Sequence, residues 1–488
     1  MTRAARAGRI FGWLGTGCFL VAFSQVAAAQ DEGTATAAAL TVDEVLTASE
    51  THFPEILDAL ARRRGADADV LAADGGFDLV FDADGFSRVD GFWDGSVVQG
   101  RATQPLRPLG ADVYAGYRLS DGNFPIYEDE YFTNTGGELK VGVLFSLLRD
   151  REIDDRRFAI TDSRLALRQA DLDVLLTKIG VQQKALVAYW RWVTTGRQLA
   201  VYDELLRIAL DREGGLQEQV DSGARAEIFL VENKQNIIRR QQFATAALRD
   251  FRIAANALSF YFRDQDGQPI IPQSTRLPPA PPLGKIDDLS VPTGGATSQA
   301  LDRRPELQIL KTAIDRAQRR ITLADNNLKP RVDLGLEVSK DFGSVAEGGV
   351  SRDSTDTIIG FQFAVPLQNR NAKGAVQREQ AKIESLRQEQ RLTADQIEVE
   401  VGNILLDLNV AEQLLELARQ DVTQAETLQV AERERFASGA SDFFLVNIRE
   451  ETAANARVQY YAADLERRIA RANYDAATVD LDRLGINE

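Results

Sequence analysis

Two very long segments carry apolar residues at a seven-residue spacing, and neither contains a proline. In residues 152–220 the series is Leu165, Leu172, Ile179, Leu186, Val193 and Ala200. In residues 372–437 it consists of the pairs Ile397 and Val401, Ile404 and Leu408, Ala411 and Leu415, and Ala418 and Val422. A seven-residue apolar period predicts helices that wind around neighbours in a left-handed supercoil. At 1.5 Å per residue, each segment predicts roughly 100 Å of helix.

Each long helix is expected to reverse at a Ser-Gly-Ala tripeptide that is followed by Phe-Leu-Val. Glycine supplies the backbone freedom that a tight reversal needs. The returning helices are predicted at about 227–262 and 442–484, and Asp442 is expected to cap the second of them. The two tripeptides are Ser222, Gly223 and Ala224, and Ser438, Gly439 and Ala440.

Shorter segments alternate apolar and polar residues with period two, over about 8–10 residues each. This pattern is typical of a tilted membrane strand with one lipid face and one wet face, and also of a soluble β-sandwich. The apolar positions are Phe77, Leu79, Phe81 and Ala83; Leu139, Val141, Val143, Phe145 and Leu147; Val332, Leu334, Leu336 and Val338; and Ile359, Phe361, Phe363 and Val365.

Four such strands cannot close a membrane barrel, because the smallest barrels use about eight and lipid does not tolerate an open edge. If these strands enter a membrane, several copies of the chain must share one barrel, and three copies would supply twelve strands. Residues 99–103 and 112–119 form an additional predicted hairpin, in the first half only. The pattern leaves open whether this hairpin lies outside the membrane or adds strands to the barrel.

These elements recur in the same order in two halves, which indicates an internal duplication. Phe53-Pro54-Glu55-Ile56 corresponds to Arg304-Pro305-Glu306-Leu307 as a helix start, and the reversals lie 215–216 residues apart. The predicted organisation is a signal peptide at 1–29, a first repeat at 30–262, a connector at 263–298 and a second repeat at 299–488. Seven of the fourteen prolines fall within 269–292, which favours an extended connector.

Residues 1–29 have the basic start, apolar stretch and small residues of a secretory signal. A lipid-anchored Cys18 and an uncleaved anchor helix are the alternatives. Cleavage would remove three arginines and no acidic residue, taking the formal charge from −16 to −19.

The same cleavage would remove the only Cys and the only Met and leave His52 as the one imidazole. We therefore expect no disulfide, no Cys/His zinc site and no thiol nucleophile. The acidic balance argues against a nucleic-acid partner. No constellation of residues points to catalysis, a metal or a cofactor.

The ordered and duplicated set of helix starts, strand pairs and Ser-Gly-Ala reversals resembles the TolC-like outer-membrane efflux and secretion channels. The resemblance covers almost the whole chain after residue 29. It implies a mainly α fold with a membrane β part: long antiparallel helices that form a tunnel, and a β-barrel shared by three protomers with four or more strands each. It also implies an outer-membrane location reaching into the periplasm, a homotrimer, and a periplasmic adaptor and inner-membrane pump as partners.

Site residues follow from the same resemblance. In the family, carboxylates near the second reversal surround the closed aperture, but the matching positions here are Leu445 and Ile448. We therefore expect an apolar gate at Phe444 with Ile448, and Asp442 as the nearest acid. Simple packing of Phe444 between helices is the alternative. The two Ser-Gly-Ala tripeptides are expected to dock the adaptor, or to serve only as turns.

The sequence thus predicts a passive conduit across the periplasm for efflux or type I secretion, without enzymatic activity. The alternative is an exported soluble coiled-coil protein with a structural or interaction role. The long helices alone fit both, and the alternating strands favour the channel.

Overall fold

A computed structural model describes residues 38–282, 294–346 and 352–487. The predicted signal peptide at 1–29 and residues 283–293 of the connector lie outside the described residues. Ala39–Glu488 form one compact unit. Within the described ranges, none of the helices carries an apolar stretch long enough to cross a membrane.

The described chain forms eight α-helices and six β-strands. Its first half contains α1 (Val42–His52), α2 (Pro54–Asp74), β1 (Val80–Ser87), β2 (Ser96–Leu106), β3 (Ala111–Asp121), β4 (Glu138–Ser146), α3 (Asp155–Asp221) and α4 (Ile228–Ser259). Its second half contains α5 (Ala296–Arg303), α6 (Pro305–Asn326), β5 (Arg331–Asp341), β6 (Thr355–Ala364), α7 (Arg370–Ala437) and α8 (Phe443–Ala477).

Local sequence explains where these helices begin. Pro54 and Pro305 open α2 and α6, where the missing amide hydrogen costs nothing and the fixed φ suits a helix. Asp154 caps α3 by accepting a hydrogen bond from the Arg157 amide at 2.8 Å. The Gly294-Gly295 pair precedes α5, and Gly295 adopts a φ of 89° that favours glycine.

The two long helices are confirmed, with 67 residues in α3 and 68 in α7. In α7 the heptad pairs are buried, except that Ala418 is half-buried. The earlier pairs pack against both α5 and α8, and the later ones against α8. In α3 the series is buried at Ile179, Leu186 and Val193, but Ala200 is exposed. An unsupercoiled helix drifts about 20° per heptad, so a strict seven-residue series leaves the interface after a few turns.

The second returning helix is shorter than predicted, because α8 ends at Ala477 rather than 484. Val479 adopts a φ of 57°, and the Asp480 amide bonds back to the Asp475 carbonyl at 2.8 Å. The chain then turns and buries Leu484 and Ile486 in the cluster that also holds Leu46 of α1. This tertiary contact, rather than helix propensity, ends α8.

The six strands form one antiparallel sheet in the order β1-β2-β3-β4-β5-β6. The prediction was wrong at the start of the first strand. Phe77 lies in a 3-10 turn (Gly75–Phe77) and is buried, and β1 begins at Val80. The Gln104 side chain donates a hydrogen bond to the Phe77 carbonyl at 2.7 Å, which holds the turn beside β2.

The predicted extra hairpin is part of this sheet. Its strands β2 and β3 have 11 residues each and pair along their whole length. They lie between β1 and β4, so the two strands expected to be neighbours in the first half are separated by two others. The sequence left open whether this hairpin joins the other strands. In the structure, it lies in the same sheet as they do.

The sheet is amphipathic across all six strands. One cross-strand row is Phe81, Ala102, Ala115, Val141, Val338 and Thr357, and the next row is Asp82, Arg101, Gly116, Lys140, Ser339 and Asp356. The apolar face is exposed on both edge strands, where Phe81 of β1 is 72% exposed and Phe361 of β6 is 67% exposed. The polar face carries ion pairs, such as that between Arg118 and Glu138.

Candidate functional site

The two helix reversals are built in the same way. Gly223 and Gly439 adopt φ values of 73° and 76°, and their amides bond to the carbonyls of Val220 and Phe436 at 2.9 and 3.0 Å. Such left-handed residues end helices because they satisfy carbonyls that the last turn leaves free. All six residues of the Ser-Gly-Ala tripeptides are exposed.

Side chains from both halves pack together beside these reversals, so the two reversals lie at one end of the bundle. Phe443 at the start of α8 is fully buried in a cluster with Leu216 of α3 and Leu230 of α4. The Arg225 guanidinium lies over the rings of Phe229 and Phe436, with distances of 5.3 and 5.1 Å to their centroids. These contacts define the tip, which we take as residues 216–230 and 436–448.

The structure separates the two neighbouring phenylalanines of the second reversal. Phe443 packs in the buried cluster of the tip, whereas the side chain of Phe444 is 61% exposed. Ile448, one helical turn later on the same face of α8, is 38% exposed. Packing within the protomer therefore does not account for Phe444, and its role as a gate stays a prediction.

Asp442 has a structural task that the sequence predicted. Its Oδ1 accepts a hydrogen bond from the Leu445 amide at 2.8 Å, which makes it the N-cap of α8. It therefore fixes the orientation of the first turn of α8, which carries Phe444.

Phe444 and Ile448 border a groove of about 570 Å³ between α4 and α8. Its polar lining includes Asn447 and Glu451 of α8 and Arg239 of α4. Arg239 pairs with Glu451 across the groove. The groove thus combines an apolar rim near the reversal with an ion pair deeper along the helices.

A buried charge network behind the groove was not predicted from the sequence. Glu450 of α8 is fully buried and accepts hydrogen bonds from Arg212 at 2.5 Å, Arg240 at 3.0 Å and Arg433 at 3.1 Å. Arg240 is also fully buried, and it donates to the Leu205 carbonyl at 2.9 Å. One carboxylate therefore connects α3, α4, α7 and α8.

The pKa of Glu450 reflects two opposing effects. Burial alone raises the pKa of this carboxyl, but the hydrogen bonds and positive charges of Arg212 and Arg240 outweigh burial and leave its pKa below the usual value. Burial lowers the pKa of Arg240, against the effect of Glu450. The sequence held a signal for this network, because Arg240 lies seven residues from both Asn233 and Ala247, on the buried stripe of α4.

Comparisons with known proteins identify the architecture. Residues 296–480 match the family model described as outer membrane efflux protein. The resemblance inferred from the ordered motifs is thereby confirmed. Over residues 296–480 the chain is thus similar to the outer membrane efflux protein family.

Solved structures share the fold over almost the whole chain. The outer-membrane channel MtrE of Neisseria gonorrhoeae, in its open state, aligns with a TM-score of 0.63 and 14% identity, over 90% of this chain and 88% of that one. VceC of Vibrio cholerae aligns with a TM-score of 0.59 and 15% identity, over 91% of this chain and 96% of that one. The CmeC channel of Campylobacter jejuni aligns with a TM-score of 0.59 and 13% identity, over 91% of this chain and 90% of that one. No curated protein matches the sequence.

Proposed function

We propose that this protein is the outer-membrane channel component of a tripartite efflux or type I secretion system. One observation carries the proposal: a sheet with an exposed apolar face and two open edges continues directly into helices 67 and 68 residues long. Such a sheet suits lipid, and about 100 Å of helix suits a conduit through the periplasm.

The open edges of the sheet support an assembly of several identical copies, which we take to be a homotrimer. In lipid, the backbone amides and carbonyls on the outer edges of β1 and β6 need partners, and another copy of the same sheet supplies them. Six antiparallel strands per copy place β1 and β6 in opposite directions. The contact between the β6 of one copy and the β1 of the next is therefore antiparallel as well, as in membrane barrels.

The proposed tip makes contact with the other components of the system. The exposed tripeptides at Ser222, Gly223 and Ala224 and at Ser438, Gly439 and Ala440 would meet a periplasmic adaptor, which joins the channel to an inner-membrane pump. Phe444 and Ile448 would narrow the tunnel mouth as an apolar gate, since apolar constrictions gate by excluding water. The conduit is passive and performs no reaction.

The alternative, a soluble coiled-coil protein, makes the opposite prediction about membrane association. Membranes from cells that produce the full-length protein would be washed with carbonate and then solubilised in detergent for cross-linking and planar-bilayer recording. A channel stays in the washed membrane, cross-links as a trimer and conducts ions. Full release by carbonate together with a monomer in detergent would exclude the proposed function.

A further inference from the structure

We infer that the β2–β3 hairpin is part of the membrane wall, so that three copies of this chain close a barrel of eighteen strands rather than twelve. This inference rests on the proposed function and deepens it, because it sets the width of the barrel and the residues that line it. The decisive observation is the position of the hairpin between β1 and β4 in one continuous sheet.

Hydrogen bonding makes the hairpin an integral part of the wall. β2 pairs with β1 over eight residues, and β3 pairs with β4 over eight. If the hairpin left the membrane, β1 and β4 would have to close the gap of two strands and exchange all of these partners. An unpaired strand edge at membrane depth is not tolerated, so the observed pairing requires the hairpin to enter the membrane with its neighbours.

The hairpin also has the dimensions and the faces of a membrane segment. Each strand has 11 residues, and a tilted strand needs about 9–11 to cross the hydrocarbon core. Val98 of β2 and Val113 of β3 lie on the apolar face of the sheet and are 65% and 36% exposed. Gln99, the next position on the polar face of β2, is opposite Asp84 and Arg118 of the neighbouring strands. Asp112, on the polar face of β3, accepts a hydrogen bond from Arg156 of α3 at 2.9 Å.

The lengths of the turns between the strands also fit a hairpin that crosses the membrane. The β2–β3 turn spans only residues 107–110 and lies at the helical end of the sheet, where Arg107 pairs with Asp74 of α2 at 2.9 Å. Connections at the opposite end span 88–95 and 122–137. Membrane barrels have short periplasmic turns and longer extracellular loops, so the hairpin turn fits the periplasmic side.

Eighteen strands change the size of the conduit at the membrane. With strands about 4.8 Å apart and tilted by about 40°, the backbone diameter is about 36 Å for eighteen strands and about 24 Å for twelve. The polar face of the hairpin would line this lumen. It carries Arg101, whose guanidinium lies 4.1 Å from the centre of the Tyr114 ring, and Arg118.

Single cysteines carrying an environment-sensitive fluorophore test this inference in the full chain. The only native cysteine, Cys18, is replaced by alanine in the background. Val98→Cys and Val113→Cys report on the apolar face of the hairpin, and Gln99→Cys and Asp112→Cys on its polar face. Phe361→Cys and Gln362→Cys in β6 form a matched reference pair on a strand predicted to enter the membrane in either case.

In lipid vesicles, we expect blue-shifted emission that is quenched by lipid-soluble quenchers at Val98, Val113 and Phe361, and water-like emission at Gln99, Asp112 and Gln362. Water-like emission at all four hairpin positions with alternation retained in β6 would overturn the eighteen-strand barrel and leave the channel intact. Loss of alternation in β6 as well would contradict the proposed function itself.

A cross-link supplies a second readout that does not depend on lipid. Ala115 and Val141 are register partners on β3 and β4, so a cysteine pair at these positions should form a disulfide in the folded protein. The control pair replaces Ala83 of β1 and Val141 of β4, which lie three strands apart in the sheet. A disulfide in the control pair and none between β3 and β4 would show a twelve-strand wall.

Discussion

At the scale of single residues, Glu450 near the tip is a buried charge that several arginines neutralise. Three guanidinium groups from three helices converge on one fully buried carboxylate. Removing one member of a buried charged group leaves its partners without compensation, which costs far more than losing an exposed ion pair. The network therefore holds the four helices in register where they reverse.

Glu450→Gln should lower the free energy of unfolding by about 3 kcal/mol, because it keeps the shape of the side chain and removes the charge that the arginines need. The neighbouring substitution Glu451→Gln is the matched control. It breaks a more exposed pair with Arg239 and should cost at most about 1 kcal/mol. Denaturant unfolding of the purified protein in detergent measures both, and equal costs would contradict the role given to Glu450.

Asp475 of α8 provides a pH-dependent contribution. Burial raises its pKa to about 6, although Arg471 opposes this effect. A raised carboxyl pKa means that protonation favours the folded state. This contribution to stability is fully present below the ordinary pKa near 3.8 and is lost as the pH rises through about 6.

Asp475→Asn should therefore be more stable relative to the wild type at pH 7.5 than at pH 4.5, because the amide carries no charge to bury. Melting temperatures at both pH values measure this difference. Asp482→Asn, an exposed position seven residues later, serves as the control and should follow the wild type. A difference between Asp475→Asn and the wild type that does not change with pH would contradict the assignment.

Phe444→Ala tests the apolar gate, because it removes an exposed ring beside the second reversal. If the ring narrows the aperture, single-channel conductance in planar bilayers should rise on the order of twofold. Val430→Ala, which truncates another exposed apolar residue near the end of α7, is the control and should conduct like the wild type. Unchanged conductance in Phe444→Ala would argue against the gate.

At the scale of elements, glycine has opposite effects within a helix and just beyond the end of that helix. Gly439 has a positive φ and open space around its Cα, so a side chain there meets backbone strain rather than a clash. Gly402 lies within α7, also with open space for a methyl group. Only the backbone conformation distinguishes the two.

Gly439→Ala should lower the free energy of unfolding by about 1 kcal/mol, because the left-handed conformation disfavours alanine. Gly402→Ala should raise it by about 0.4–1 kcal/mol, because alanine restricts the unfolded chain and favours the helix. Thermal unfolding of the two variants shows whether each substitution lowers or raises the stability of the protein. The same sign in both would show that the reversal imposes no conformational demand.

At the scale of the whole molecule, the proposed function requires that the apolar face of the sheet meets lipid and that its edges meet other copies. Phe361 and Gln362 are adjacent residues of β6 on opposite faces. The two positions allow the lipid face to be tested without changing the strand.

Phe361→Arg should cost about 2–4 kcal/mol if the residue lies near the middle of the lipid layer, and should reduce the amount of trimer in the outer membrane. Gln362→Arg places the same charge on the polar face and should assemble normally. The amount of heat-resistant trimer in membrane fractions is measured for both variants. Equal assembly of both variants would mean that β6 has no lipid face.

Much of this architecture was predictable from local patterns. Period seven predicted α3 and α7, period two predicted β4, β5 and β6, and the Ser-Gly-Ala tripeptides predicted both reversals. These features depend on near neighbours in the chain, and a helix or strand with one buried face must repeat its apolar residues at its own period. Phe77 was misassigned because a chance alternation extended the strand pattern into a turn.

The sequence by itself determined the elements and the residues at which they reverse, because these depend on periodicity and on backbone conformations available to particular residue types. Only the tertiary structure decided the place of the β2–β3 hairpin, the end of α8 at Ala477 and the convergence of three arginines on Glu450. Each of these depends on contacts between segments far apart in the chain. No local pattern specifies which distant segment will satisfy a strand edge or a buried charge.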